Sequence, residues 1–167
     1  SKSLATAHHL LLSHGMAIPE IRNNSKQSEI GITLNLNTAI PASESTYEKD
    51  ACKFYDGQFN RLYLNPLYNN EYPDDVFEYL KTKSLISESD LNFIKQGDLN
   101  IISTKTDFLG VNYYSRAVIR NEEIDEKNNL PRNVEMGPKT DFGWEIYPPG
   151  IYDLLMRLKK EYKVQNI

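Results

Sequence analysis

The feature that most constrains this chain is the way its apolar spacing switches period. Stretches repeating every three to four residues alternate with stretches repeating every two, the signatures of one-faced helices and of strands. Leu4, His8, Leu11 and Gly15 fall on one helical face, with Gly15 or Pro19 expected to end the helix. Ile30, Ile32, Leu34 and Leu36 then alternate with Gly31, Thr33, Asn35 and Asn37, which predicts a strand over 30–37. Tyr47, Ala51, Phe54, Tyr55, Phe59 and Leu62 predict a helix over 45–63, and the polar run 65–72 reads as a loop. Pro73 suits the first turn of a short helix holding Val76, Phe77 and Leu80. Ser87, three residues before Asp90, resembles a cap for another short helix with Leu91 and Ile94. A second strand is expected over 108–115, and 121–143 reads as a long surface loop with room for a hairpin. Pro149 and Gly150 open a last helix through Ile151, Leu154, Leu155, Leu158 and Tyr162, and Val164 and Ile167 begin a further strand.

Single strands separated by helices predict an α/β unit, a parallel sheet covered by helices, over the single segment 1–167. Two full strands leave sheet edges unpaired, so the pattern reads as a piece of a larger sheet. Self-association, or pairing with complementing segments, is the expected way to cover those edges.

Composition excludes several functions. The net charge of −4 offers no basic stripe for nucleic acid. No run approaches the roughly 20 apolar residues of a membrane span, and residues 1–13 lack the parts of a signal peptide. One cysteine, Cys52, rules out an intrachain disulfide and a multi-cysteine zinc site. The expected location is therefore cytoplasmic. Cys52 lies in an aromatic helical stripe and reads as a buried thiol. His8, His9 and His14 lack a carboxylate at metal-site spacing and read as packed histidines hydrogen-bonded to backbone. No metal or cofactor is expected. Leu36-Asn37-Thr38 offers no glycine-rich loop for a nucleotide.

The sharpest local feature is Asn112-Tyr113-Tyr114-Ser115-Arg116, at the end of an apolar strand, where parallel α/β folds bind ligands. Asn112 and Tyr114 share one side of the strand and Tyr113 takes the other. Asn112 offers a donor and an acceptor, and Tyr114 a hydroxyl. The alternative is that Asn112 bonds backbone at the strand exit while both tyrosines pack.

Five segments occur in order: His8 to Gly15 (HHLLLSHG), Ile30 to Asn35 (IGITLN), Asp56 to Arg61 (DGQFNR), Asp107 to Tyr114 (DFLGVNYY) and Gly143 to Gly150 (GWEIYPPG). Together they resemble the middle of a family 1 glycoside hydrolase, the group of β-glucosidases, β-galactosidases and 6-phospho-β-glycosidases. That resemblance implies part of a (β/α)8 TIM barrel, from the helix after strand four to the start of strand seven. It implies a retaining β-glycosidase acting on small β-linked sugars, β-glucosides or 6-phospho-β-glucosides, with no cofactor. The acid/base would belong to an Asn-Glu-Pro motif before Ser1 and the nucleophile to a Glu-Asn-Gly motif after Ile167. Tyr114 would then support the nucleophile carboxylate and Asn112 would bind sugar hydroxyls. The chain alone is expected to be inactive; the alternative is a non-catalytic sugar-binding or structural remnant. Leu62-Tyr63, Asn65 and Glu71 depart from the family pattern at outer helix and loop positions. Glu145 reads as a solvated or loop-anchoring group.

Overall fold

The computed structural model describes residues 2–125, 130–134 and 136–167. Helix α1 spans Lys2–Asn24 and buries His8, Leu11, Gly15 and Ile18. Neither Gly15 nor Pro19 ends it, contrary to the sequence expectation. Gly15 is a packing glycine, because a Cβ there would lie 2.1 Å from the Ile101 carbonyl oxygen. Strand β1 is Gly31–Asn35 and strand β2 is Ala39–Pro41. Helix α2, Thr46–Asp56, starts where the Ser45 hydroxyl accepts the Glu48 N–H. It passes into a π-helical turn, Gly57–Arg61, and then into α3, Leu62–Tyr68.

The expected loop over 65–72 is thus helical as far as Tyr68. Its polar letters concealed the continuing buried face of Leu64 and Leu67, and Asn65 is itself buried, accepting a 2.9 Å hydrogen bond from the Tyr162 hydroxyl. Helix α4 is Asp74–Thr82, with Val76, Phe77 and Leu80 buried. Ser87 and Asp90 form a capping box on a 3-10 turn, Glu88–Leu91. Helix α5, Asp98–Ile102, had no clear periodic signal. Strand β3 is Phe108–Asn112, β4 is Ala117–Asp125, β5 is Leu130–Val134 and helix α6 is Pro148–Glu161.

Strands β1 and β3 are parallel neighbours, with Gly31 opposite Phe108 and Asn35 opposite Asn112. Both are shorter than expected because the chain kinks after them and re-pairs in a second sheet, ordered β2-β4-β5. There β2 runs parallel to β4, and β4 pairs antiparallel with β5, so the expected loop over 121–143 contains the end of β4 and all of β5. Residues 126–129 and 135 of that stretch lie outside the described residues. The segment 163–167 is not a regular strand, but Leu109 N–H donates to the Asn166 carbonyl at 3.0 Å, on the edge of β3 away from β1.

One face of the β1/β3 pair carries the core. Leu34, Leu36 and Leu109 pack with Leu11 of α1, Leu64 and Leu67 of α3, Ile102 of α5, and Leu154 and Leu158 of α6. A fully buried leucine such as Leu64 contributes about 1.5–3 kcal/mol of transfer free energy. The other face carries Gly31, Thr33 and Asn35 beside Phe108, Gly110 and Asn112. Small and large residues alternate across it: the Phe108 ring occupies the space over Gly31, and the Thr33 hydroxyl that over Gly110. The architecture is a partial, unclosed TIM-barrel-like arrangement of alternating strands and helices.

Candidate active-site face

Asn112 ends β3, and its register partner Asn35 ends β1. Both are exposed, and among the described residues neither side chain makes a hydrogen bond to the protein. Tyr114 lies just past the strand on the same side and is 52% exposed. Tyr113 points the other way, into the helix layer, with its hydroxyl against Gly150, where a Cβ would come within 1.9 Å. Burial pushes its phenol pKa up. Among the described residues, the Asn112 side chain bonds no backbone group at the strand exit, and only Tyr113 of the two tyrosines turns into the helix layer.

The Tyr114 ring meets Trp144, centroids 4.8 Å apart, and Trp144 stacks on Phe142 at 5.5 Å. A tight turn presents these rings: Gly143 N–H donates to the Thr140 carbonyl, Thr140 N–H donates to the Trp144 carbonyl, and Gly143 takes φ +82°. The positive φ favours glycine there. Glu145 is not solvated. Arg116 grips both its oxygens at 2.7 Å, from Nε and Nη2, and holds its carboxyl below the usual range. Loop anchoring is its role.

The β1 end is fastened from below by the π-helical turn. Asn60, fully buried, accepts the Asn37 N–H at 3.2 Å and donates to the Asn37 carbonyl at 3.0 Å. Its amide also donates to Asp56 at 2.7 Å, and Asp56 receives both Arg157 and Arg61. Burial alone would raise the Asp56 carboxyl, but Arg157, Asn60 and Arg61 hold it below its ordinary value. A cavity of about 350 Å³ opens on this side, lined by Thr33, Asn35, Gln58, Phe59 and Tyr63. A larger one, about 420 Å³, sits at the opposite strand ends around Asp107 and Phe108, remote from the Asn112 tip.

The histidines and the cysteine stand apart from this face. His8 is buried in the helix layer, its Nε2 at 2.9 Å from Asp98 and its Nδ1 at 2.9 Å from the Tyr72 hydroxyl. Its partners are side chains, not the backbone the sequence suggested, because α5 and Tyr72, just before α4, meet α1 there. Cys52 is buried, and burial together with Asp56 pushes its thiol up to about 11, a poor nucleophile at neutral pH. Among the described residues, no group of three His, Cys, Asp or Glu side chains could hold a metal.

The profile of glycosyl hydrolase family 1 matches residues 1–167. The chain belongs to that family. It is 38% identical over 167 residues to β-glucosidase A of Acetivibrio thermocellus, covering 99% of this chain and 36% of that protein. It is 36% identical over 168 residues to a 1,4-β-D-glucan glucohydrolase of Thermotoga neapolitana, covering 97% and 36%. The crystal structure of a β-glucosidase from Exiguobacterium marinum superposes with a TM-score of 0.81 at 36% identity, over 93% of this chain and 34% of that one. This family 1 chain thus spans about a third of the length of the relatives it matches. Sequence reading missed two residues on the face. Asn35 was visible only as a polar position alternating with Leu34 and Leu36. Trp144 lies 30 positions from Tyr114, and no local pattern signals their contact.

Proposed function

We propose that this chain is the part of a retaining β-glycosidase, acting on β-glucosides or 6-phospho-β-glucosides, that orients the sugar and the nucleophile without supplying either catalytic carboxylate. The observation that carries the reading is the unpaired polar face at the strand ends: Asn112 and Asn35 side by side, with Tyr114 just beyond. Retaining hydrolysis needs two carboxyl groups about 5–5.5 Å apart, one to attack and one to protonate the leaving oxygen. Glu145, the carboxylate beside Trp144, is committed to Arg116. In this reading the attacking and protonating groups are those of the family's Glu-Asn-Gly and Asn-Glu-Pro motifs, neither of which occurs in this sequence. Asn112 hydrogen-bonds sugar hydroxyls, and the Tyr114 hydroxyl donates to the nucleophile carboxylate and fixes its direction. The exposed rings of Trp144 and Phe142 form an apolar ledge beside Tyr114, suited to the leaving group.

In the full-length enzyme, Tyr114→Phe should lower kcat on nitrophenyl β-glucosides about 10- to 1000-fold, the range expected on losing one oriented donor. An unchanged kcat overturns the assignment. The free edge of β1 adds a partner requirement. Its even-numbered residues bond β3, as in Leu36 N–H to the Asn112 carbonyl, so Gly31, Thr33 and Asn35 turn their backbone groups outward. We assign that edge to a complementing barrel strand or a second copy of the chain. Sedimentation of the isolated chain should show association, and a strict monomer contradicts this.

A further inference from the structure

The loop carrying Trp144 is exposed, and a loop of this kind ordinarily fluctuates. Here the Arg116–Glu145 ion pair helps to fasten it. Arg116 lies two residues past Tyr114, and Glu145 is adjacent to Trp144, so the ion pair and the ring pair join the same two segments. The pair is largely buried, with 15% of the Arg116 side chain and 7% of the Glu145 side chain exposed. Its geometry is a two-pronged fork, with both prongs at 2.7 Å. The guanidinium also lies 3.8 Å from the centre of the Tyr147 ring. Gly137 lets Glu145 approach, since a Cβ there would come within 2.5 Å of Oε1.

Burying such a pair costs desolvation, and well-packed apolar side chains could stabilise a loop equally well. What the fork supplies beyond stability is direction, because a guanidinium and a carboxylate meet in one plane. Glu145 bridges back to Lys139 across the hairpin. Successive side chains on such an extended segment point to opposite sides. Turning Glu145 inward therefore turns Trp144 outward, onto Tyr114.

We propose that Arg116 and Glu145 are positioning residues: they hold the Trp144 indole beside Tyr114, so that recognition of a planar aryl leaving group depends on an ion pair the ligand never touches. This role rests on the reading of the Trp144 ledge as the leaving-group side of the site. Trp144 is the single tryptophan, so both its fluorescence and its indole N–H resonance report on this loop alone.

The test uses the whole chain with Glu145→Gln, Arg116→Gln and the double variant. Acrylamide quenching reads the loop, and the indole resonance is titrated with phenyl β-D-glucoside, methyl β-D-glucoside serving as the control. Quenching should rise about twofold or more in each single variant as the loop opens, and no further in the double variant. Phenyl glucoside binding should weaken about fivefold or more, with the response to methyl glucoside unchanged. Unaltered quenching in folded single variants, with phenyl glucoside still shifting the wild-type indole, overturns the positioning role alone. A wild-type indole that phenyl glucoside leaves unmoved overturns the ledge reading and this role with it. If Glu145→Gln loses its circular-dichroism signal, Arg116→Lys, which keeps the charge and loses the fork, must show the same effects at smaller size; wild-type behaviour there overturns the proposal.

Discussion

Polar side chains occur in two settings in this molecule, and the contrast separates architecture from chemistry. In the helix layer they are buried or half-buried and joined to one another: His8 to Asp98 and Tyr72, Asp56 to Arg157, Arg61 and Asn60. At the strand ends Asn35 and Asn112 are exposed and make no hydrogen bond to the protein among the described residues. A buried polar group must be satisfied by its neighbours, or its desolvation destabilises the fold. An exposed one on a rigid strand is satisfied by water and can exchange that water for a ligand. Substitutions in the first region should therefore cost stability, and those in the second should cost recognition.

The largest expected effect is at Asp56. Asp56→Ala removes the shared acceptor of Arg157, Arg61 and Asn60, leaving Arg157 with Glu161 and Arg61 with Asp75, and should lower the unfolding free energy in urea by about 3 kcal/mol. A loss under 1 kcal/mol would erase the contrast. Asn60→Ala orphans both backbone groups of Asn37 and should cost about 1–3 kcal/mol. Gly15→Ala forces a methyl group onto the Ile101 carbonyl between α1 and α5, and should cost a similar 1–3 kcal/mol, roughly, in the same titration.

Acid sharpens the same comparison. Arg61 holds the Asp75 carboxyl below the usual carboxylate range, and Arg157, Asn60 and Arg61 do so for Asp56 against the opposing effect of burial. The unfolded chain then binds more protons than the folded one as pH falls past about 4. The stability these groups contribute is present above that pH and is lost as pH drops through their lower folded values. Urea midpoints should fall in that window, and Asp75→Asn should flatten the fall. The smallest effect is at the strand ends: Asn112→Ala and Tyr114→Phe should each move the unfolding free energy by about 0.5 kcal/mol or less.

Much of the frame was legible because it follows from side-chain periodicity. The alternation of Ile32, Leu34 and Leu36 with polar neighbours marked β1, and the separation of strands by helices implied the parallel pairing with β3. Where tertiary packing overrides local propensity, reading failed. Pro19 and Gly15 look like helix stops, but α1 continues because its buried stripe extends to Ile18 and Gly15 admits α5. Residues 65–68 look like loop, but Leu64 and Leu67 anchor them in the core. At the candidate site, Asn112 and Tyr114 were visible as an amide and a phenol one side apart at a strand end. Their neighbours were not. Asn35 is brought in by strand register, and Trp144 by a tertiary contact spanning 30 positions.

We propose that this chain contributes orientation and not the reacting carboxylates. The direct test is nitrophenol release from aryl β-glucoside and 6-phospho-β-glucoside by the purified chain, run beside its Tyr114→Phe variant and the full-length enzyme. The chain and its variant should both give no release above buffer, with turnover in the full-length enzyme only. Turnover by the chain alone that scales with its concentration and falls in Tyr114→Phe would place the reacting carboxylates within these residues and overturn that division.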